Sequence, residues 1–152
     1  FTYFCLNLLN KNQIKDWNLF INTPGYFTWC GTSFEILCLN HLRQIKKTLD
    51  IYGVQSNDYA FKSKAKKNGC QIDLLIDRSD NVINLCEIKY TLNPFEIDQN
   101  YEKSIINKIE VFKNETKTKK AIFVTMISFN GIKHNAYSNI VTNEIVGSDL
   151  FI

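Results

Sequence analysis

Residues 69–90, GCQIDLLIDRSDNVINLCEIKY, constrain the fold of this chain more than any other stretch. Two apolar runs flank a polar turn around Asp80, and apolar and polar residues alternate along each run, which predicts a β-hairpin. Asp73, Glu87 and Lys89 interrupt the apolar pattern. The fold must therefore place two carboxylates and an ammonium group inside or beside a sheet.

The alternation also sets the expected register of this hairpin. A turn about Asp80 pairs apolar with apolar residues on one face and polar with polar residues on the other, whereas a slip by one residue mixes the faces. The expected apolar pairs are Ile72 with Ile88 and Leu74 with Cys86, and the expected polar pairs are Asp73 with Glu87 and Gln71 with Lys89.

Opposed carboxylates at Asp73 and Glu87 would repel each other and destabilise the strand pair. Lys89 on the same face offsets part of this repulsion. A divalent cation would offset more, since Mg²⁺ is commonly held by one or two carboxylates together with water and phosphate oxygens. The alternative is a surface hairpin whose charges face water, but Leu75 and Leu85 flank the charges and favour a partly enclosed face.

The composition excludes several classes of protein. The chain has 152 residues, of which 45% are hydrophobic and 13% aromatic, so it fits one folded domain rather than a disordered chain. No apolar run approaches the roughly 20 residues that span a bilayer, and the first residues lack a signal-peptide pattern. The sequence starts with Phe1 rather than Met, from which we expect a piece of a longer protein.

The net charge of +3 is too small to indicate nucleic-acid binding by itself. Two basic runs, KSKAKKNG (62–69) and KNETKTKK (113–120), hold most of the local excess of positive charge. Such runs are commonly solvated loops. The alternative is a surface that binds a polyanion.

Five cysteines form no CxxC pair, and their odd number does not suggest a disulfide framework. Cys70 and Cys86 lie in the predicted strands, where a free thiol behaves as a small apolar side chain. We therefore expect all the thiols to be free, as in a reducing, cytoplasmic compartment. Cys38 and His41 have the spacing of half a zinc site, but no second half is visible in the sequence and packing roles are favoured.

The residues before the hairpin predict a helix over 33–49. Apolar residues recur there every three or four positions, with Thr32 or Ser33 as the N-cap and Glu35 at the edge of the apolar stripe. The aromatic and Asn-rich residues 1–22 are expected to form short helices, and a loop with the sequence TPGYFTWCGT is expected to join them to the helix.

After the hairpin, a second helix is predicted over 95–115, with Asn93 as its cap and Pro94 at its first position. A strand around DYAFKS precedes the hairpin, AIFVTMI (121–127) is apolar enough for a strand buried on both faces, and EIVGSDLF ends the chain with a short strand and turn. This order predicts an α/β fold of three layers, with a central mixed sheet of about four strands and a helix on each face.

Asp73, followed after the turn by Glu87-Ile88-Lys89, resembles the signature of the PD-(D/E)xK nuclease superfamily. Glu35 on the preceding helix resembles the extra acidic residue that many of these enzymes use. The order of elements over roughly residues 31–127 is similar to the αβββαβ core of that restriction-endonuclease-like αβα fold. Ile72 stands where the family has its nominal proline, a position that varies.

Several stretches narrow the resemblance to the nuclease-like C-terminal domain of prokaryotic AAA+ ATPases of unknown function. They are GTSFEILCLNHLRQIK, GCQIDLLIDR, LCEIKY and FEIDQNYEKSIINK. The resemblance implies that residues 31–152 form the nuclease-like domain and that residues 1–30 connect it to an upstream ATPase domain of the same chain. The sequence itself contains no Walker A motif.

The resemblance also implies a metal-dependent hydrolysis of phosphodiester bonds in DNA, with Mg²⁺ or Mn²⁺ as the cofactor. Asp73, Glu87 and the carbonyl of Ile88 would hold the metal. Glu35 would add a direct or water-mediated contact to it. Lys89 would orient the attacking water or stabilise the transition state, so that Glu35, Asp73, Glu87 and Lys89 form the expected catalytic set.

Candidate nucleic-acid contacts are basic or polar residues near the same elements, and two of them, Gln71 and Tyr101, also suit purely structural roles. The candidates are Lys64, Lys66, Lys67, Gln71, Tyr101, Lys103 and Lys108. The alternative to an enzyme is a catalytically inactive nuclease-fold module that binds DNA or a partner protein. The presence of the complete acidic and basic set argues for the enzyme, since opposed charges are costly to keep in a sheet.

Overall fold

The computed structural model of the protein describes residues 21, 23–64 and 69–151. In chain order the helices are α1 (Pro24–Asn40), α2 (Leu42–Thr48) and α3 (Gln99–Thr116). The strands are β1 (Ser56–Lys62), β2 (Gln71–Arg78), β3 (Val82–Lys89), β4 (Phe95–Glu96), β5 (Ala121–Ser128), β6 (Ile132–Lys133) and β7 (Asn143–Val146). Two 3₁₀-helices, Ala136–Ile140 and Gly147–Phe151, flank the last strand.

Strands β1, β2, β3, β5 and β7 form a mixed central sheet, in that spatial order. β1, β2 and β3 are antiparallel neighbours, whereas β5 runs parallel to β3 on one side and to β7 on the other. The short strands β4 and β6 pair with each other outside this sheet. The predicted mixed sheet is confirmed, and β5 lies inside it, as its apolar sequence predicts for a strand covered on both faces.

Alternating side chains of the sheet contribute to apolar cores on its two faces. On one face, Phe34 of α1 and Ile45 of α2 pack with residues of β2, β3, β5 and β7. On the other face, Phe112 of α3 packs with Leu75 of β2 and Leu85 of β3. The predicted three-layer αβα arrangement is therefore confirmed, because each helix buries its apolar stripe against its own face of the sheet.

Helix α1 begins before the predicted position. Thr23 is its N-cap, with the side-chain oxygen accepting the N–H of Tyr26 at 3.2 Å, and Pro24 follows in the first turn. The prediction of a loop through TPGYFTWCGT is wrong, since most of that segment is helical. Thr32 and Ser33 are not caps but interior positions of the helix.

Burial explains why this segment is helical in spite of its composition. Gly25 and Gly31 each lower helix propensity by about 1 kcal/mol relative to Ala, whereas Cys30 between them is buried. The helix continues through the predicted domain boundary at residues 30 and 31. The short helices expected nearer the start of the chain fall almost entirely on residues outside the described ranges. Neither α1 nor any other helix in the described ranges is long and apolar enough to cross a bilayer.

The predicted helix over 33–49 is divided in two at His41, where φ is −114° and ψ is 30°. Nδ1 of His41 lies 2.8 Å from the carbonyl oxygen of Leu37, and the ring packs against that of Phe151 with 5.6 Å between centroids. Cys38 is completely buried in the core. Both members of the Cys38–His41 pair therefore have packing roles.

Helix α3 begins at Gln99, with Asp98 as its N-cap. Oδ1 of Asp98 accepts the N–H of Tyr101 at 2.7 Å. The prediction of a cap at Asn93 and a first position at Pro94 is wrong, because the chain after Pro94 forms β4 and pairs with β6. That pairing partner is distant in sequence, so a local capping pattern does not reveal it.

Cys30, Cys38, Cys70 and Cys86 are free thiols, which confirms the prediction for these four, while Cys5 lies outside the described residues. Burial raises the pKa of the Cys38 thiol to about 12 and also raises that of Cys86. Thiols of this kind stay protonated and act as small apolar side chains.

Candidate active site

The site lies where β2 and β3 stop pairing. From Leu74 opposite Cys86 to Asp77 opposite Ile83, the two strands have the predicted register. Beyond Leu74, towards the start of β2, no further β2–β3 pairs form. The expected cross-strand pairs of Asp73 with Glu87 and of Gln71 with Lys89 are therefore wrong in detail, although the register of the hairpin is right.

A β-bulge in β2 lies at this separation. Tyr59 of β1 pairs with Leu75 and Phe61 pairs with Ile72, so β2 advances one residue more than β1 between these pairs. The extra residue reverses the facing of the strand beyond it. Ile72 consequently packs with Leu75 on the α3 face, and the prediction that it stacks on Ile88 is wrong.

Asp73 lies in the bulge and takes over a backbone hydrogen bond. Its Oδ2 accepts the N–H of Ile88 at 3.1 Å, the group that a regular ladder would pair with the backbone of β2. Because the N–H and C=O of one strand residue point to the same side, the carbonyl of Ile88 is directed towards the same gap. Among the described residues, Oδ1 of Asp73 has no hydrogen-bond partner.

Glu87 is almost completely buried, with 1% of its surface exposed, under α3. The Nζ of Lys108 lies 2.6 Å from Oε1 and 2.7 Å from Oε2, and the hydroxyl of Tyr101 donates to Oε2 at 3.1 Å. Burial raises the pKa of the Glu87 carboxyl, the ion pair with Lys108 opposes the rise, and the charge of Asp73 adds to it. Glu87 thus has a protein cation as its counterion.

The sequence predicts a different role for the partners of Glu87, since Tyr101 and Lys108 are candidates for contacts to nucleic acid. They lie seven residues apart on α3, which is close to two helical turns and places them on one face. This spacing is the sequence signal for a shared contact. The spacing does not identify Glu87 as the contacted residue, because the path of the chain from β3 to α3 determines which residue lies under this face.

Glu35 on α1 approaches the same region from the other face of the sheet. Burial raises the pKa of its carboxyl, the charge of Asp73 raises it further, and Lys89 opposes both. Asp73 is therefore near enough to act electrostatically on Glu35 as well as on Glu87. Within the described ranges, the Glu35 carboxylate forms no hydrogen bond or ion pair.

Lys89, the last residue of β3, has an ammonium group that the described part of the chain leaves without an ion pair. Its Nζ lies 5.7 Å from the centroid of the Tyr101 ring, a cation–π distance. Burial and the adjacent Glu87 charge raise the pKa of the Tyr101 hydroxyl, which keeps it a hydrogen-bond donor. The Tyr101 ring thus contacts Lys89, while the Glu87 carboxylate contacts Lys108.

The candidate ligand atoms are of the element that a hard divalent cation prefers. Asp73, Glu87 and the Ile88 carbonyl supply only oxygen, the element that Mg²⁺ prefers. A cation already lies at Glu87, since the Lys108 ammonium contacts both carboxylate oxygens. In the part of the chain that the structure describes, three or more Asp, Glu, His or Cys side chains do not gather closely enough to hold a metal ion. The candidate metal ligands of the site are thus two carboxylates and one backbone carbonyl.

Those of the remaining candidate contacts to nucleic acid that the structure describes form no hydrogen bond or ion pair with the site residues. Lys66 and Lys67 lie outside the described residues. Lys64 borders a surface cavity of about 420 Å³ at the C-terminal end of α3. Gln71 is exposed at the start of β2, and Lys103 is exposed on the side of α3 opposite Tyr101.

Comparisons with known proteins do not define a family for this chain. No protein-family model matches it, and no curated protein matches it. A solved structure of a protein of unknown function, AF1548, is similar with a TM-score of 0.47 and 12% identity, over 72% of this chain and 56% of that chain. The chain thus spans little more than half the length of that protein.

Proposed function

We propose that this chain is a metal-dependent nuclease-like domain that hydrolyses phosphodiester bonds in DNA. The observation that carries the proposal is the opening between β2 and β3, where the Asp73 carboxylate and the Ile88 carbonyl point into one gap beside Glu87. A carboxylate pair and a backbone carbonyl at the end of a β-hairpin, followed by a lysine on the same strand, suit metal-assisted attack on a phosphate.

Each residue of the set has a distinct role in this proposal. Asp73, Glu87 and the Ile88 carbonyl would hold Mg²⁺ or Mn²⁺. The metal when bound would supply a water of lowered pKa and neutralise charge on the attacked phosphate. Lys89, whose ammonium has no carboxylate partner in the described ranges, orients the attacking water or stabilises the negative charge of the transition state.

Glu35 acts from the opposite wall of the gap. It has no hydrogen-bond partner in the described part of the chain, and its carboxyl pKa is raised mainly by burial and further by the nearby Asp73 charge. A carboxylate in this environment accepts a hydrogen bond from a water that another group binds. Its proposed role is therefore a water-mediated contact rather than direct coordination.

The proposed substrate and partners follow from the family resemblance. DNA is the proposed substrate, and an AAA+ ATPase domain upstream in the same chain is the proposed partner. Both belong in a cytoplasmic setting, which free thiols favour. Lys64 and Lys103 are exposed and available for phosphate contacts.

One observation favours the alternative, an inactive nuclease-fold module that binds DNA or a protein. Lys108 already neutralises Glu87, with Nζ 2.6 Å from Oε1. A site that holds its own cation is stable without a metal. In that case the domain would retain the carboxylates for their structural contacts to Ile88 and Lys108 and would bind nucleic acid without cleaving it.

Cleavage of supercoiled plasmid and linear DNA in Mg²⁺ or Mn²⁺ tests the proposal. Lys89→Ala should lower the cleavage rate by about 100-fold or more, the usual cost of removing a group that stabilises developing charge. Lys89 has no ion pair in the described ranges, so the fold should tolerate the change. Lys47→Ala, which removes an exposed lysine of α2 outside both basic runs, is the matched control and should cleave at the wild-type rate.

Absence of metal-dependent cleavage by the wild type would contradict the proposal. So would equal rates for Lys89→Ala and the wild type. Binding of the same DNA without cleavage would favour the inactive module.

A further inference from the structure

The ion pair of Glu87 and Lys108 has a geometry that bears on metal binding. Lys108 places one Nζ within 2.6 and 2.7 Å of the two carboxylate oxygens, and Tyr101 donates to Oε2. An ionised carboxylate offers about four lone-pair sites. Three hydrogen bonds therefore take up about three of these sites, and the Lys108 ammonium contacts both of the oxygens that a metal would bind.

The surroundings make this pair necessary for the fold in the absence of another cation. The Glu87 side chain is 1% exposed and that of Lys108 is 18% exposed. A buried carboxylate without a counterion is strongly unfavourable, because its loss of hydration is not compensated. Lys108 and a divalent cation are thus alternative counterions for the same oxygens.

Lys108 can leave Glu87 without moving the helix that carries it. Its side chain is a flexible four-carbon stem that reaches partly to solvent. The backbone of α3 is held separately, by the burial of Ile105 and Phe112 on its apolar face. A rotation of the side chain is sufficient to exchange the counterion.

We infer that Lys108 is a built-in counterion that competes with the divalent metal for Glu87, so that metal binding requires its displacement. This inference rests on the proposed function, because it concerns the same carboxylate. Lys108 is a positioning residue in this scheme: its ammonium group holds the buried Glu87 side chain in place while no metal is bound. Because of this competition, the site binds the metal more weakly than the same oxygen atoms would without Lys108.

Thermal melts in chelator and over a range of Mn²⁺ concentrations test the inference, with Mn²⁺ alone as the probe. Lys108→Met removes the ammonium group but keeps an unbranched side chain of similar length. It should lower Tm in chelator and reduce the Mn²⁺ concentration for half-maximal gain in Tm by about tenfold or more. Lys103→Met, which removes an exposed lysine from the opposite side of α3, should retain the wild-type midpoint.

A second variant tests whether the charges of Glu87 and Lys108 cause the changes in Tm and in the Mn²⁺ midpoint. In Glu87→Gln, Lys108→Met both charges are gone, so Tm in chelator should recover relative to Lys108→Met and the response to Mn²⁺ should be lost. If Lys108→Met is unfolded in chelator, millimolar Mn²⁺ should restore its circular-dichroism signal. A variant that stays unfolded in millimolar Mn²⁺ would overturn the inference.

The outcomes separate this inference from the proposed function. One outcome is that Mn²⁺ stabilises the wild type, Lys108→Met and Lys103→Met with the same half-maximal Mn²⁺ concentration. This result overturns the competition between Lys108 and the metal and leaves the proposed function standing. A response seen only in Lys108→Met supports the competition and counts against catalysis by the wild type. No response in any variant overturns both.

Discussion

At Asp73 a side chain replaces a backbone hydrogen-bond partner. The bulge in β2 removes the backbone partner that the N–H of Ile88 would have in a regular ladder, and Oδ2 of Asp73 accepts that N–H instead. Ile88 is buried, and a buried donor without an acceptor costs about 1–3 kcal/mol. Asp73 thus has a structural role that leaves Oδ1 available to the site.

Two substitutions of Asp73 separate its structural role from its charge. Asp73→Ala should lower the free energy of unfolding by about 1–3 kcal/mol, because Ala offers no acceptor to the N–H of Ile88. Asp73→Asn should cost little, since its amide oxygen still accepts and one of two repelling carboxylates is removed. Urea denaturation in chelator measures both, and equal losses would contradict the structural role. Neither variant should show a Mn²⁺-dependent gain in Tm.

The carboxyl groups of the site also differ from the sequence-based expectation in the cause of their pKa shifts. The sequence predicts repulsion between the carboxylates of Asp73 and Glu87, with Lys89 offsetting part of it. The pKa values of Glu35 and Glu87 are raised and Lys89 opposes both shifts, but burial is the largest cause in each case. The enclosure of the residues by α1 and α3 therefore matters more than their proximity to each other.

Among the elements, α3 has the largest influence on the site because it supplies two groups to Glu87. Tyr101 and Lys108 project from one face of the helix, about two turns apart. The position at which the helix begins determines how both side chains meet the sheet. Asp98, which caps the helix by accepting the N–H of Tyr101, is therefore connected to the site through α3.

The position of this cap is testable with a matched pair of substitutions. Asp98→Ala should lower the free energy of unfolding by about 1 kcal/mol, the usual cost of losing an N-cap. Asn93→Ala, at the cap position that the sequence pattern favours, should change it by less than about 0.5 kcal/mol, since this exposed residue precedes β4. Chemical denaturation measures both. A larger loss for Asn93→Ala would contradict the observed start of α3.

On the scale of the whole molecule, the three layers decide which thiols are accessible. Cys38 lies on the buried face of α1 and Cys86 lies on β3 inside the sheet, and neither has exposed surface. Cys70 is only partly buried, near the start of β2. The α1 face of the sheet therefore protects two thiols that the sequence alone does not distinguish from the others.

Thiol titration in native and denaturing conditions tests this arrangement. Denatured, unreduced protein should react at all five cysteines, because no disulfide is expected. In the native protein Cys38 and Cys86 should react only on unfolding, since they are buried and burial raises their pKa values. Reaction of Cys70 should be faster. A total below five after denaturation, or rapid reaction of every thiol in the native protein, would contradict the prediction.

Local patterns in the sequence determined much of the fold. The alternation along residues 69–90 is sufficient for the register of Leu74 with Cys86, because a one-residue slip would expose an apolar face. The apolar stripes of the two main helices and the apolar run of β5 are enough for three layers. Asp73, Glu87 and Lys89 are recognisable as candidates because charges within an apolar hairpin are costly.

Only the tertiary structure decided how the charges of the site are arranged. The bulge depends on how β1 pairs with β2, and it lies where Asp73 leaves the expected pair with Glu87. The contact of Lys108 with Glu87 depends on the path of the chain from β3 through β4 to α3. Neither is a property of neighbouring residues: each results from packing between elements distant in sequence, which local periodicity does not encode.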